Sequence, residues 1–594
     1  MGISALVPTP HKRAHIVRIS GSGRSDLGPT GQRHPLVKRR AFMNAPNASN
    51  PTAAKTSFQW DWNLPRLFIR ACRAKGEKIK VVDSMGLKLS GNDLLLKTLV
   101  LKRVIDREIL KVRSNGLTEK NVGVFLPPTA SAVIANMALT LSRRVAVNLN
   151  YSASEDIINR CVEQAGIKHV LTSRKFLDRF NVKFNAEVVC IEDLLPKVMV
   201  WDKLFGFMQS KFFSEGMLSS IFQLGKNKPD DVLTIIFTSG STGVPKGVPL
   251  TFNNIASNVQ GFDKIIGVDE NDCFLGILPF FHSFGYTVTL WGAMTLPSSG
   301  TYHLNPLEPK QIGKLINDNR CTVVLGTPTF LRGFLKRIEP EQFKSVEVVV
   351  VGAEKMPIPL ADAFEERFGV RPIEGYGATE LSPVVSVNVP PKRAKTPEAQ
   401  LGTREGSVGR PIPGVLARTV SLDDSSVVLT HNETGMLEFT GPNVMPGYLN
   451  QPQMTAKVMH DGWYISGDVG HIDSDGFIYI TGRESRFSKI GGEMVPHIQV
   501  EEEIAKLVGG NDDEKTTVAV CGVPDEKKGE RLVVLYTSLS HEPSDIVKKL
   551  IAAGLPSIYV PNADSFIKVD EIPMLGSGKL DLRNLQKLAL EKVG

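Results

Sequence analysis

Cysteine is scarce and scattered: six residues, Cys72, Cys161, Cys190, Cys273, Cys321 and Cys521, serve a chain of 594. None forms a C-x-x-C pair or joins histidine at metal-ligand spacing, which excludes a disulfide scaffold and a zinc cluster. A reducing compartment is the default. A long apolar run is also missing. Residues 273–307 contain no Asp, Glu, Lys or Arg, yet Pro279, His282, Ser283, Gly285 and the Pro-Ser-Ser-Gly run 297–300 divide them. No segment of about 20 apolar residues survives, so the stretch reads as buried core instead of a membrane span.

Excess charge is confined to one end. The net charge is +8, but residues 1–42 carry eight basic side chains against one acidic, and the remainder stands near +1. No basic domain is left to track a phosphate backbone, so nucleic-acid binding is excluded. The leader has no continuous apolar core of a signal peptide, being broken by Pro8, Pro10, Gly21, Gly23 and Pro29. Three readings of it stay open: a disordered basic tail, an upstream extension before a true start at Met43, or an Arg-rich transit peptide.

What is present is an ordinary globular composition, with 42% apolar and 22% charged residues. The length exceeds what one core normally serves, so at least two domains are expected. Residues 1–54, rich in Pro, Gly, Ser and Asn, read as a disordered leader. Beyond them, β-type runs at 122–126, 232–237 and 346–351 alternate with helical patterns such as 156–164 and 359–368. That alternation predicts α/β architecture with parallel sheets. From about 405 to 482, short strands and Asp/Gly/Asn turns predict a β-rich subdomain of a large domain spanning 55–482. Residues 483–594 form a small α+β C-terminal domain, with the junction at 482–486.

The densest local signal is the string 238–247, Thr-Ser-Gly-Ser-Thr-Gly-Val-Pro-Lys-Gly, directly after the apolar strand 232–237. Hydroxyls of Thr238, Ser239, Ser241 and Thr242, with Gly240 and Gly243, let the chain wrap phosphate oxygens, while Lys246 supplies a mobile cation. It is not a Walker A loop, which needs four residues between its glycines and then Gly-Lys-Ser/Thr. A ligand-free Ser/Gly loop is the bland alternative, and the full string argues against it.

With that string the sequence resembles the adenylate-forming family of acyl-CoA synthetases, luciferases and peptide-synthetase adenylation domains. Further motifs follow in the family's order, over roughly residues 58–594. Tyr376-Gly377-Ala-Thr379-Glu380 resembles the nucleotide segment, which implies Thr379 toward phosphate and Glu380 on Mg²⁺, a hard cation suited to carboxylate oxygen. Gly352-Ala353-Glu354 resembles the adenine-side loop. The string 464–468 implies that Asp468 holds the ribose hydroxyls, with Arg483 as the second ribose contact. The string 572–583, Ile-Pro-Met-Leu-Gly-Ser-Gly-Lys-Leu-Asp-Leu-Arg, implies that Lys579 stabilises the adenylation transition state. His282, in 280–286, falls where the family places a gate beside its acyl tunnel, although a histidine in an apolar run is more often core.

The resemblance implies ATP-dependent activation of an acid, expected to be a fatty acid, as acyl-AMP, then transfer to acyl carrier protein or CoA. Another carboxylic acid, or a non-catalytic acyl-binding relative, is the alternative. Arg486 stands where many relatives have a hinge Asp, and the run 486–495 is similar to the acyl-[acyl-carrier-protein] synthetase half of the bifunctional enzyme that also acylates 2-acylglycerophosphoethanolamine. The other half of that enzyme needs His-x-x-x-x-Asp, and none of the eleven histidines has Asp five residues later. Finally, Trp201, Leu204, Phe205, Met208 and Phe212 recur at helical spacing within 198–224. The stripe reads either as core or, with Lys203 and Lys211, as a face for an anionic membrane. The expected location is cytoplasmic, with contact at the membrane inner face through 198–224.

Overall fold

The computed structural model describes residues 60–110, 119–238, 245–389, 393, 402–490, 493–508, 517–525, 527–574 and 580–593. The chain separates into two units, Met1–Ser57 and Phe58–Gly594, and the first lies outside the described residues.

The fold is mixed α/β, with a large N-terminal domain of parallel sheets and helices and a smaller β-containing C-terminal domain. A six-stranded sheet runs Glu187–Cys190, His169–Thr172, Asn121–Phe125, Val145–Asn148, Val232–Thr238, Lys246–Thr251. Its first five strands are parallel, and only the last turns back. A nine-stranded sheet is parallel through Ile79–Asp83, Ser299–Tyr302, Cys273–Gly276, Val323–Gly326, Val348–Val351 and Ile373–Gly377. Parallel strands covered on both faces should read as unbroken apolar runs, and Val348–Val351 is four valines, all buried.

Helices start where the sequence supplies caps. Thr251 closes the turning-back strand and caps Phe252–Ile266 in a reciprocal pair with Asn254, while Ser154 caps Glu155–Gln164. Helix Ile358–Phe368 ends on Gly369 at φ +69°.

Beyond residue 410 the strand pairs are antiparallel, except that Phe566–Lys568 runs parallel to Gly529–Tyr536. Leu416–Val420, Gly435–Thr440, Trp463–Ile472, Met459–His460 and Ile478–Arg483 form one. The last sheet contains Phe487–Ile490, Glu493–Pro496, Val518–Asp525, Gly529–Tyr536 and Phe566–Lys568. It has its own apolar cores, one built on Val495, Val500, Ile504 and Val534, the other on Val533, Leu585 and Ala589.

The uncharged stretch is interior as expected: residues Gly285–Gly292 form a buried π-helix between the strands Cys273–Gly276 and Ser299–Tyr302. Among the described residues no helix is long and apolar enough to cross a membrane. The core reading of the 201–212 stripe is corrected. In helix Val200–Phe212 the buried residues are Asp202, Gly206, Gln209 and Ser210, while the large apolar side chains face out.

Candidate active site

Parallel strands end together, so residues following neighbouring strands collect at one edge. In open α/β sheets that carboxyl edge is where ligands bind. Val350 and Val351 pair with Ile373 and Glu374, which sets the loop 352–354 beside Tyr376 and the segment that follows it. Gly352 lies against the Gly375 carbonyl and the Phe284 ring. Ala353 has φ +69°, a left-handed conformation costly for a residue with a Cβ. Glu354 accepts from the Thr329 hydroxyl at 3.1 Å. Gly377 is obligatory: a Cβ there would meet the Pro383 carbonyl oxygen at 1.8 Å.

From this edge four contacts radiate. Thr379 Oγ1 is 3.1 Å from Ser283 Oγ, next to His282. Glu380 Oε1 accepts from Tyr448 Oη at 2.8 Å, and its backbone carbonyl accepts from Met445 at 2.8 Å. Tyr376 Oη donates to Asp468 Oδ2 at 2.5 Å. Burial first, and then the neighbouring carboxylates, push the Tyr376 and Tyr448 phenols well up, so both remain proton donors.

The other motifs reach the same place. Thr238 and Lys246 are paired across the hairpin base. Lys246 Nζ lies 5.3 Å from the Tyr448 ring centroid, within cation–π range. Leu449 donates to the Gly247 carbonyl at 2.8 Å, tying the hairpin to the chain beyond Tyr448. Asp468 and Arg483 face each other on adjacent strands, Nε to Oδ1 at 2.9 Å. The Asp468 carboxylate is the leading reason that Arg483 is held more firmly protonated than usual. Lys246, Thr379, Glu380, Tyr376, Asp468 and Arg483 therefore form one connected constellation.

Not every expected residue can be placed. Ser239, Gly240, Ser241, Thr242, Gly243 and Lys579 lie outside the described residues. Flanking Lys579, Met574 and Leu580 pair as an antiparallel bridge. His282 is exposed, its ring Nδ1 facing the Phe284 amide at 3.4 Å. Tyr448 and Ser283 were missed by sequence reasoning. Ser283 sits inside a quoted motif, but nothing in the sequence marks Tyr448, which joins Lys246 to Glu380 only through folding.

Residues 110–449 match the family of AMP-binding enzymes, more than half of the chain. The chain belongs to that family. As an AMP-binding enzyme it has curated relatives of nearly full length. It is 27% identical over 536 residues to a long-chain-fatty-acid–CoA ligase of Bacillus subtilis (strain 168), covering 85% of this chain and 90% of that one. To a 2-succinylbenzoate–CoA ligase of Geobacillus sp. (strain WCH70) it is 26% identical, covering 89% and 97%. Among solved structures, o-succinylbenzoate coenzyme A synthetase from Bacillus subtilis in complex with ATP and magnesium ion superposes with a TM-score of 0.69 at 22% identity, over 89% of this chain and 99% of that one. That last likeness concerns the fold. Family and relatives together support adenylate-forming acid–CoA ligase activity, ATP-dependent and AMP-forming.

Proposed function

We propose that this AMP-binding enzyme activates a fatty acid and delivers it to the phosphopantetheine thiol of acyl carrier protein or CoA. A carboxylate is a poor electrophile. In the first step its oxygen attacks the α-phosphorus of ATP, and the bond to pyrophosphate breaks. In the second the thiol attacks the acyl carbonyl, loses its proton, and AMP leaves. Negative charge builds on phosphoryl oxygens in the first step, where fixed cations and donors are most effective.

In this reading Lys246 and residues 238–243 hold the departing pyrophosphate, and Thr379, steadied by Ser283, donates to phosphate. Gly352, Ala353, Glu354, Tyr376 and Gly377 flank the base. Asp468 accepts from the ribose hydroxyls, with Arg483 beside it, and Lys579 meets the α-phosphate and the attacking carboxylate. Glu380 suits Mg²⁺: its carboxylate is oriented by Tyr448, and Mg²⁺ binds readily through one protein carboxylate plus phosphate oxygens and water. Bound there, Mg²⁺ would offset charge on the pyrophosphate leaving group.

One small domain has to serve both half-reactions, so it rotates between them. Arg486 is buried and ion-paired to Glu501 within the last sheet's own helix, so it travels with the small domain. Gly482 and Arg483 are held in the strand ladder opposite Val469 and Asp468, which leaves residues 484–485 as the pivot.

The fatty-acid assignment rests on the uncharged stretch 273–307, in which a buried apolar helix, Gly285–Gly292, follows His282; an acyl chain taken up beside it would gain about 0.8 kcal/mol per buried methylene. The carrier-protein option rests on the run 486–495. A different acid is the competing reading, favoured by the comparable similarity to a succinylbenzoate ligase. All six cysteines are free thiols, including Cys273 and Cys321, whose sulfurs lie 3.7 Å apart, and this suits a cytoplasmic setting. The test offers ATP, Mg²⁺ and a mixture of fatty, aryl and dicarboxylic acids, with holo-carrier protein and CoA in competition, and identifies thioesters by mass. Fatty acyl thioesters are expected. Products from aryl or dicarboxylic acids alone would overturn the fatty-acid reading.

A further inference from the structure

Helix Val200–Phe212 is built inside out. Its inward stripe is polar or small: Asp202, Gly206, Gln209 and Ser210 are its buried residues. Gly206 lets it lie close on helix Gly91–Glu108, since a Cβ would meet Val100 at 2.7 Å. Outward stand Val200 at 80% exposure, Trp201 at 63% and Phe212 at 70%, with Leu204, Phe205 and Phe207 between them. The following helix, Glu215–Ile221, also exposes apolar side chains, Met217 and Ile221. Scattered apolar side chains are normal on a surface, but a contiguous aromatic face marks something that covers it.

Charge identifies the occupant. Residues 198–224 contain two acids, Asp202 and Glu215. Both turn inward: Asp202 is bound by Arg107 at 2.8 Å and Arg103 at 3.2 Å, and Glu215 by Arg66 and Arg70. The exposed charges of the segment are Lys203 and Lys211, the latter 3.6 Å from Glu77 of the neighbouring loop. A second copy meeting this face symmetrically would set lysines against lysines with no carboxylate from the segment between them. Aromatic residues edged by lysine fit the boundary of an anionic bilayer, where rings enter the acyl region and ammonium groups stay at the phosphates. Beside the face, a concavity of about 370 Å³ lined by Ser219, Ser220 and Lys226 adds hydroxyl donors and a further cation.

We propose that residues 198–224 dock the enzyme on an anionic phospholipid surface, with Trp201, Phe205 and Phe212 as the inserted side chains. The docking is independent of which acid is activated. The test is co-sedimentation of the full chain with vesicles of phosphatidylglycerol and phosphatidylcholine in equal parts, against phosphatidylcholine alone. Binding to the anionic vesicles, weakened by salt, is expected. Lys203→Glu with Lys211→Glu should lower the partition by about fivefold or more per lysine. Trp201→Ser, Phe205→Ser and Phe212→Ser together should lower it about tenfold or more while acid-dependent pyrophosphate exchange is retained. Absence of binding to anionic vesicles overturns the proposal. So does binding that both variants keep, which would assign it to another segment. A wild-type dimer in sedimentation that either variant turns into a monomer would make the face an interface between copies instead.

Discussion

Asp468 and Arg483 stand opposite each other on adjacent antiparallel strands, Oδ1 to Nε at 2.9 Å, and the other carboxylate oxygen accepts from Tyr376. The carboxylate is thereby fixed from two sides by groups that approach from different sheets. A carboxylate so oriented needs no reorganisation to accept from two neighbouring hydroxyls.

Asp468→Ala should raise KM for ATP by about tenfold or more, because hydrogen bonds to a charged acceptor are worth about 1.5–3 kcal/mol. KM for the acid should change little. Initial rates with each substrate varied in turn check this; an unchanged KM for ATP would remove Asp468 from the nucleotide site.

Tyr448→Phe keeps the ring near Lys246 and deletes the donor to Glu380. If Glu380 serves Mg²⁺, the magnesium concentration for half-maximal rate should rise by about fivefold, the worth of about one hydrogen bond. Titrating Mg²⁺ at saturating ATP measures it. An unchanged magnesium requirement would leave Tyr448 a packing residue.

The alternating pattern of 122–126, 156–164 and 346–351 announced strands and helices that the structure contains as Asn121–Phe125, Glu155–Gln164 and Val348–Val351. Apolar period and caps are local properties, which is why they were legible. The convergence of Tyr376, Glu380, Asp468 and Lys246 was legible only as family order, since their contacts are made by chain pairings far apart in sequence. Tyr448 was invisible for the same reason. The stripe at 201–212 misled for another: helical spacing shows that a helix has two faces and leaves open which one is buried. Here the inward face is decided by Arg103 and Arg107, which draw Asp202 in.

Lys579→Ala should lower acid-dependent pyrophosphate exchange by about a hundredfold or more while ATP binding changes little, the signature of a group acting on the transition state. Transfer of preformed acyl-AMP to thiol should survive. Near-normal exchange would overturn the role of Lys579.

Acid should loosen the C-terminal domain through His497. Burial, and then the neighbouring Arg486, push its imidazole from 6.5 down to about 3, and Ser488 Oγ lies 2.8 Å from its Nε2. The unfolded chain therefore takes up a proton near pH 6.5 that the folded one refuses, so stability falls as pH drops below about 6.5. The slope is about 1.4 kcal/mol per pH unit. Denaturant melts at pH 7 and pH 5 check this. His497→Gln should flatten the difference, and an equal loss in that variant would assign it to other groups.

The central claim is that the constellation around Glu380, Asp468 and Lys246 activates a fatty acid as its adenylate. Its most direct test is exchange of labelled pyrophosphate into ATP by the purified full chain with Mg²⁺, with and without a long-chain fatty acid and with no thiol present. Exchange that depends on the fatty acid is expected. Exchange with no dependence on it, while another class of acid drives the reaction, would contradict the claim, as would the absence of exchange with every acid offered.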